Sequence, residues 1–463
     1  MAPNALVYCL GLARKGNRCC TLLPPAPAPE LDLKSMKIKS MRLLDRWVGS
    51  PISAALTIIR RIRDSFQSMP SEPPRRILFV KLVEQGATVV AEPAIRRAIE
   101  MVGRENVFMV VFRQNRFIID VLDVIPGENV ITIRSNGLFA FAGDTIKAIR
   151  RMRKEKIDAA IDFEFFSRFS GALTFLSGAT RRVGFHSFAG EAAYSGDLMT
   201  HRLAYNYTLH VSQTYRVLVQ ALGFQRDQLP TIDSYPVTDF QTPSFEPGPH
   251  EKQEVEAIVK EVLGRDEIPP LILLNANSGD LLPLRTWAPH RYVELAQRLL
   301  NHYPDITIGF TGSPDEAKDA WELATQVNSD RCVSFGGKTT LRQLLVLYGI
   351  SEIMVTNDSG PAHYASITPI DVITLFGPEN PGVFGSQSPR SHIIWAGLAC
   401  SPCVNAFNQR ISTCKNNICM QRITVDEVFD TVVREYDRRR AGHAPTGVSS
   451  FAKAAAASRA KSG

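Results

Sequence analysis

The chain has 463 residues, of which 44% are hydrophobic and 21% are charged. This length predicts two domains, and this apolar fraction is enough for two buried cores. The formal net charge of +7 is modest, and it is concentrated in clusters at residues 60–63, 150–154 and 438–440 with few aromatic residues between them. We therefore expect no nucleic-acid partner, and an anionic membrane surface is the better candidate for these clusters.

Residues 1–40 carry little structural signal. They contain apolar patches and a proline and alanine run at 24–29, but no succession of charged start, apolar core and small-residue cleavage site. We interpret the segment as disordered, or as an over-extended start with Met36 or Met41 as the true first residue. A weak signal peptide is the competing interpretation.

Residues 41–75 begin with a helical pattern and end in a proline-rich linker. The apolar core from Trp47 to Ile59 is short and interrupted, and arginines follow it at once. A membrane span needs about 20 apolar residues. The pattern therefore predicts an interfacial amphipathic helix with a basic flank, and the alternative is a helix packed on the protein itself.

The first half, residues 76–235, alternates strands and helices. Strands are predicted at 76–82, 107–112, 130–133, 159–161 and 181–185, and helices at 88–102, 144–154, 167–180 and 201–223. This alternation is typical of a doubly wound parallel sheet, which binds ligands at the carboxyl ends of its strands. Glu84 follows the first of these strands, and Asp162 and Glu164 follow the fourth.

The second half, residues 251–440, repeats the alternation after a Pro/Ser/Thr-rich linker at 236–250. Helices are predicted at 251–263, 291–302, 316–327 and 425–440, and strands at 271–275 and 306–311. The tail at 441–463 is rich in Ala, Ser and Lys and is predicted to be disordered.

The most informative stretch is a strand, a polar turn and a helix start. The apolar run at 353–355 ends in Thr-Asn-Asp-Ser-Gly, and a helix follows with His363 on its first turn. Such a turn presents unpaired N–H groups to one point, which suits a phosphate or diphosphate. Asp358, Ser359 and His363 add side-chain hydrogen bonds, and Gly360 lets the backbone approach closely. The alternative is that Asp358 or Ser359 is only a helix cap.

The string T-N-D-S-G-P-x-H at 356–363, with L-F-G-P at 375–378, resembles glycosyltransferase family 9, which contains the bacterial heptosyltransferases. The resemblance covers about residues 76–432. It implies the α/β GT-B architecture, two Rossmann-like domains facing a cleft, with the acceptor on the first half and a nucleotide-sugar on the second. It also implies inverting transfer of a sugar, with ADP-heptose as the expected donor, to a lipopolysaccharide-like, lipid-linked or other cell-envelope glycan.

The resemblance assigns donor binding to ten residues: Asn277, Ser278, Arg285, Glu316, Thr339, Thr340, Asp358, Ser359, Gly360 and His363. Arg285 would neutralise the diphosphate, because its spacing from Trp287 matches the family's Lys/Arg-x-Trp. Glu316 would bind ribose hydroxyls, and the equal alternative is that it complements a helix dipole. Thr339 and Thr340 would border the base pocket. No bound metal is expected for catalysis, because Arg285, His363 and the helix N-terminus can carry the diphosphate charge.

The catalytic base is the point of departure from the family. The family motif V-K-x-x-x-x-G-D ends in the catalytic Asp, and this chain has Ala87 in that place. Glu84, one short loop away, is the first candidate to replace it. Asp162, Glu164 or Glu92 is the second, although each also fits a surface charge or a helix cap. The third interpretation is a nucleotide-sugar-binding or scaffold protein that does not catalyse transfer.

Four cysteines, Cys400, Cys403, Cys414 and Cys419, have the spacing C-x2-C-x10-C-x4-C, which is compatible with a structural zinc site. Relatives often carry a cysteine-rich stretch here. Reduced thiols and disulfides are the alternatives, and nothing else indicates an oxidising compartment.

We therefore predict a cytoplasmic glycosyltransferase, peripheral on the inner face of the cytoplasmic membrane. A dinucleotide-dependent oxidoreductase is disfavoured, because no G-x-G-x-x-G follows a first strand.

Overall fold

The computed structural model describes residues 45, 47–66, 72–226, 228, 230, 243–279 and 282–445. The predictions for the N-terminal 40 residues, for the first part of the linker between the halves (236–242) and for most of the C-terminal tail lie outside these described residues.

The first half contains a parallel sheet of six strands. The strands are β1 (Ile77–Val80), β2 (Val107–Phe112), β3 (Val130–Ile133), β4 (Ala159–Asp162), β5 (Arg181–Phe185) and β6 (His201–Leu203). The helices are α1 (Gly49–Ser65), α2 (Gln85–Val102), α3 (Arg116–Leu122), α4 (Leu138–Lys154), α5 (Arg168–Leu176) and α6 (Val211–Gln220). The strand order is β3-β2-β1-β4-β5-β6, so β1 lies at the point where the order reverses.

The second half contains another six-stranded parallel sheet. The strands are β7 (Leu271–Asn275), β8 (Thr307–Phe310), β9 (Cys332–Ser334), β10 (Ile353–Asn357), β11 (Asp371–Phe376) and β12 (Ser391–Trp395). The helices are α7 (Pro249–Leu263), α8 (Pro289–His302), α9 (Ala317–Val327), α10 (Leu341–Gly349), α11 (Gly360–Ala365), α12 (Pro381–Phe384), α13 (Ile418–Gln421) and α14 (Val425–Arg440). The order is β12-β11-β10-β7-β8-β9, with β7 and β10 at the centre.

Four strands of the two sheets are mostly apolar and are buried along their whole length. Every residue of β1 and β2 is buried, and so is every residue of β7 and β11. Continuous apolar runs of this kind are typical of parallel sheets that helices cover on both faces. The predicted α/β fold with two Rossmann-like sheets is confirmed.

Several short strands and helices differ from the sequence prediction. The prediction of a helix over 201–223 is wrong at its start, because His201–Leu203 pairs with β5 as a parallel strand and the helix begins only at Val211. Strands β9 and β12 and helices α3, α10, α12 and α13 were not predicted. A strand of three to five residues at a sheet edge obtains its conformation from its neighbour, and local pattern carries little of that information.

Helix α1 packs on α5 through its polar side. Thr57 Oγ1 accepts a hydrogen bond of 2.9 Å from the N–H of Asp197. Arg60 is 2.6 Å from the Asp197 carboxylate, and Asp64 is 2.9 Å from Arg182. The side of α1 that faces the protein is therefore polar. Within the described residues, no helix combines the length and apolarity that crossing a membrane requires.

The two halves meet where α2 approaches α11. A Cβ atom at Gly86 would lie 2.8 Å from His363 Cδ2, so only glycine allows this approach. His210 Nε2 donates a hydrogen bond of 2.9 Å to the carbonyl oxygen of Gly385. These contacts bring the carboxyl end of β1 opposite the carboxyl end of β10.

Candidate active site

A cavity of about 250 Å³ lies between the carboxyl ends of β1 and β10. The residues lining it from the first half include Glu84, Gly86, Ala87, Asn115 and Tyr215, and those from the second half include Ser278, Arg285, Asp358, Ser359, Gly360, His363, Glu379 and Arg410. An open depression of about 580 Å³ beside β9 shares no residue with it. The cavity is where doubly wound sheets bind their ligands.

Two arginines and three carboxylates share this cavity. Arg285 ends a short 3-10 turn after β7, and its Nη1 lies 3.6 Å from both Asp358 Oδ2 and Glu379 Oε2. These distances are too long for hydrogen bonds. Arg285 Nε is buried and makes no hydrogen bond within the described residues. Arg285 is therefore held near two carboxylates, while its Nε–H group has no hydrogen-bond partner among the described residues.

Glu84 crosses the cavity to the second half. Its backbone is left-handed, with φ 65° and ψ 79°, and it directly precedes α2. A non-glycine residue in this conformation is often found at a functional site. Its carboxylate forms an ion pair with Arg410. Burial raises the pKa of Glu84, but the neighbouring charges, of which Arg410 and then Lys81 are the largest, together lower it by more, so the net pKa is below its usual value.

Glu379 and Arg410 are site residues that the sequence analysis did not identify. Glu379 follows L-F-G-P after β11 and is buried, and Arg410 Nε lies 3.2 Å from its Oε1. Burial raises the pKa of Glu379, and the neighbouring Asp358 raises it further. The position of Glu379 just beyond a strand was a usable signal. Arg410 lies in the loop after β12, 326 residues from its partner Glu84, and no local pattern indicates that pairing.

His363 lines the cavity as an uncharged group. Burial, followed by the charge of Arg285, lowers its pKa to about 4. Its Nδ1 is buried without a hydrogen-bond partner in the described part of the chain. Helix α11 is only six residues long, so its dipole is small. In this arrangement His363 can form a hydrogen bond but carries no charge. From the sequence, His363 and the helix N-terminus were instead expected to carry positive charge.

The remaining predicted donor residues divide into two groups. Ser278 lines the cavity, with its Oγ 2.5 Å from Thr286 Oγ1. Asn277, Glu316, Thr339 and Thr340 do not line it. Two of this second group have a local role at a helix start. The Glu316 carboxylate accepts a hydrogen bond of 2.8 Å from the N–H of Ser313, and Thr340 Oγ1 accepts one of 3.3 Å from the N–H of Gln343.

The alternative bases Asp162, Glu164 and Glu92 also lie outside the cavity lining. Glu164 Oε1 accepts hydrogen bonds from the N–H groups of Leu82 (2.6 Å) and Val83 (3.0 Å), so it shapes the loop after β1. Asp162 Oδ1 accepts a bond of 3.0 Å from the N–H of Glu164, and burial raises its pKa to about 8. Glu92 is buried in α2, where it pairs with Arg96. Of the four carboxylates, the structure brings only Glu84 to the cavity.

The four cysteines of the C-x2-C-x10-C-x4-C pattern do not form a metal site in the structure. The described residues contain no group of three or more His, Cys, Asp or Glu placed to hold a metal ion. All four are free thiols: Cys400 and Cys414 are exposed, Cys403 is half-buried and Cys419 is buried. Cys419 packs in the core against Gly377. The geometry therefore does not fit the zinc site that the spacing suggested.

Comparisons with known proteins agree with this architecture. The model of Glycosyltransferase family 9 (heptosyltransferase) matches residues 145–411, which is more than half of the chain. Lipopolysaccharide heptosyltransferase 2 of Salmonella typhimurium is 29% identical over 115 residues, which are 24% of this chain and 32% of that protein. Lipooligosaccharide heptosyltransferase 2 of Haemophilus influenzae is 27% identical over 186 residues, 39% of this chain and 52% of that protein. The chain thus matches between a third and about half of the length of these relatives.

A solved structure shows the same fold over a longer stretch. The ADP-heptose lps heptosyltransferase II of E. coli superposes with a TM-score of 0.61 at 16% identity, covering 79% of this chain and 99% of that chain. The two facing Rossmann-like sheets are therefore a GT-B fold. The family model, the matched relatives and the fold together show that the chain belongs to glycosyltransferase family 9.

Proposed function

We propose that the chain transfers a sugar from a nucleotide-diphospho-sugar to a lipopolysaccharide-like or other cell-envelope glycan. The observation that carries this proposal is the meeting of Arg285, Arg410 and Glu84 in one cavity at the carboxyl ends of β1 and β10. The relatives named for heptosyl transfer favour heptose as the sugar, and ADP-heptose as the donor to test first.

In this proposal the second half binds the donor diphosphate. The guanidinium groups of Arg285 and Arg410 supply forked donors and permanent charge, which match the oxygens of a diphosphate. Ser278 and Ser359 line the same wall and can add hydroxyl hydrogen bonds. As the sugar leaves, negative charge grows on the diphosphate, and preorganised donors stabilise that charge most effectively where water is excluded.

Glu84 is the base of the proposed reaction. The acceptor hydroxyl oxygen attacks the anomeric carbon from the side opposite the diphosphate, and Glu84 takes the hydroxyl proton as the new C–O bond forms. The old C–O bond breaks, and its electron pair leaves on the nucleotide diphosphate. This single displacement inverts the anomeric centre. Glu84 suits the role because it extends from the first half into a cavity whose other wall carries the arginines.

A transfer assay tests the proposal. The purified protein is incubated with ADP-, GDP- and UDP-sugars and with lipopolysaccharide that has a truncated inner core. We expect one donor to add a single sugar residue to the acceptor, detected by mass spectrometry, with nucleoside diphosphate released in equal amount. Binding of a donor without transfer to any cell-envelope acceptor would instead favour a nucleotide-sugar-binding protein.

We also propose that the enzyme works on an anionic membrane surface, the inner face of the cytoplasmic membrane, through α1. The outer side of this helix carries Ile52, Ile59 and Ile62, and the residues that flank the helix, Val48 and Phe66, extend the same side. Their spacings of three, four and seven residues place them on one face of the helix. Ile52, Ile59 and Phe66 are 46%, 51% and 87% exposed, so the described residues leave about half or more of these side chains open to solvent.

The surroundings of α1 fit a lipid surface. The loop before β6 packs on the helix through Gly196 and Asp197, and it carries the exposed aromatic side chains Phe188 and Tyr194. Aromatic side chains of this kind are enriched where membrane and water meet. The Arg61 side chain is 71% exposed beside this face, and a positive charge there favours anionic lipid.

Replacing Ile52 and Ile59 together by serine is expected to weaken binding to vesicles that contain anionic lipid by at least about tenfold, because burying an isoleucine contributes about 1.5–3 kcal/mol. Co-sedimentation with anionic and zwitterionic vesicles measures this. Trp321→Ser, at an exposed tryptophan of α9 in the second half, is the matched control and should bind as the wild type does. Equal binding by the double variant, or no binding by the wild type, would show that α1 is not a membrane contact.

A further inference from the structure

We infer that Arg410 changes partners during the reaction, passing from Glu84 to the donor diphosphate, so that donor binding releases Glu84 to act as the base. This inference rests on the proposed function and concerns the order of events within it. Besides its contact with the diphosphate, Arg410 then has a second role, which is to hold Glu84 until the donor binds. The proton acceptor becomes available only when the sugar to be transferred is in place.

The first support is the position of Arg410 between two carboxylates. It pairs with Glu84 across the cavity through one terminal nitrogen, and its Nε lies 3.2 Å from Glu379 Oε1. Its side chain is 15% exposed, and its guanidinium lies 5.1 Å from the centre of the Phe384 ring. The same fork that holds Glu84 thus faces the cavity in which we place the diphosphate.

The second support is the charge of the cavity. Glu84, Asp358 and Glu379 outnumber Arg285 and Arg410, and His363 is neutral. A diphosphate adds further negative charge to a site that already has an excess of carboxylate. It competes best for the arginines, because it concentrates its charge on several oxygens that accept bidentate hydrogen bonds. The single carboxylates of Glu84 and Glu379 compete less well, so they lose Arg410 as their partner.

Losing Arg410 changes the pKa of Glu84. Arg410 is the largest of the charges that lower this pKa against the effect of burial. When Arg410 turns to the diphosphate, burial dominates and the pKa rises towards neutrality, where a general base is most effective. Glu379 loses the same partner, and because burial already raises its pKa, we expect it to take up a proton as the donor binds.

The test is the pH dependence of Arg410→Gln compared with the wild type. The acid limb of kcat/KM for the donor reports Glu84 in the free enzyme, whereas the acid limb of kcat reports it in the donor complex. We expect the kcat/KM limb of Arg410→Gln to move to higher pH by about one unit, because a neighbouring opposite charge shifts a carboxyl pKa by about that much. The kcat limb should stay in place, because Arg410 has already left Glu84 in that complex. Equal movement of both limbs, or of neither, would overturn the inference.

Two further variants keep the test decisive. Arg410→Lys retains the positive charge, so the acid limb of its kcat/KM should stay at the wild-type pH while its donor affinity falls. This variant provides the test if Arg410→Gln does not fold. Arg298→Gln, at an exposed ion pair with Asp426 outside the cavity, should behave as the wild type. Calorimetry of the wild type in buffers of different ionisation enthalpy should show net proton uptake on donor binding, and its absence counts against the exchange. If the wild type transfers no sugar at all, the proposed function fails, whereas activity with unchanged limbs refutes only this inference.

Discussion

The Glu84→Gln variant is expected to lose transfer activity by about 10²–10⁴-fold, the contribution usual for a general base. Glutamine has nearly the same shape as glutamate but cannot accept the proton of the acceptor hydroxyl. Donor affinity should be equal to that of the wild type or higher, because Arg410 then faces one carboxylate fewer. Steady-state kcat at saturating donor, together with the donor dissociation constant from calorimetry, separates the two effects.

Two comparisons make this result specific to Glu84. Glu92→Gln replaces a buried glutamate on the neighbouring helix that does not line the cavity, and it should retain activity. Ala87→Asp in the Glu84→Gln background places a carboxylate on the cavity wall where the family has its catalytic Asp, and it should restore part of the activity. If Glu84→Gln is as active as the wild type, another group takes the proton and the proposed mechanism is wrong.

The second large effect is expected for Arg285→Ala, which should raise the donor dissociation constant by roughly 10²-fold. Each hydrogen bond to a charged group contributes about 1.5–3 kcal/mol, and a forked contact provides two. The loss should affect every donor that shares the diphosphate, because the contact does not involve the sugar. Calorimetric titration measures it directly.

Arg285 also lies between Asp358 and Glu379, so its removal leaves buried carboxylates with less compensating charge and lowers stability as well. Thermal unfolding should therefore be measured alongside, and Arg285→Lys should recover part of both quantities. Arg298→Ala, outside the cavity on α8, is the control for loss of an arginine. Unchanged donor affinity in folded Arg285→Ala would remove the diphosphate site from this part of the cavity.

Several strands of the two sheets could be predicted because their signal is local. The apolar runs of β2, β3 and β7 end at the predicted residues, and each is buried along most of its length. The turn after β10 could be predicted for the same reason, since its strand, polar residues and helix start are consecutive. Asp358, Ser359, Gly360 and His363 consequently all line the cavity.

The rest of the site depends on contacts between distant residues. Arg410 is separated from Glu84 by 326 residues. The only prediction for its loop concerned the cysteines. Glu164 and Glu84 are both carboxylates that follow strands, and their sequence positions do not show that Glu164 turns back to the N–H groups of Leu82 and Val83. Helix α1 was predicted with its alternatives open, because amphipathicity alone does not say which face is turned to the protein.

The most direct test of the account is calorimetric titration of the wild type with a panel of ADP-, GDP- and UDP-sugars. We predict that one nucleotide, with ADP first among the candidates, binds with a single site per chain, and that Arg285→Ala and Asp358→Ala each change this affinity. Binding that both variants leave unaltered would place the nucleotide elsewhere. If no nucleotide-sugar binds to the folded protein, the cavity between β1 and β10 is not a donor site and the proposed transfer reaction is wrong.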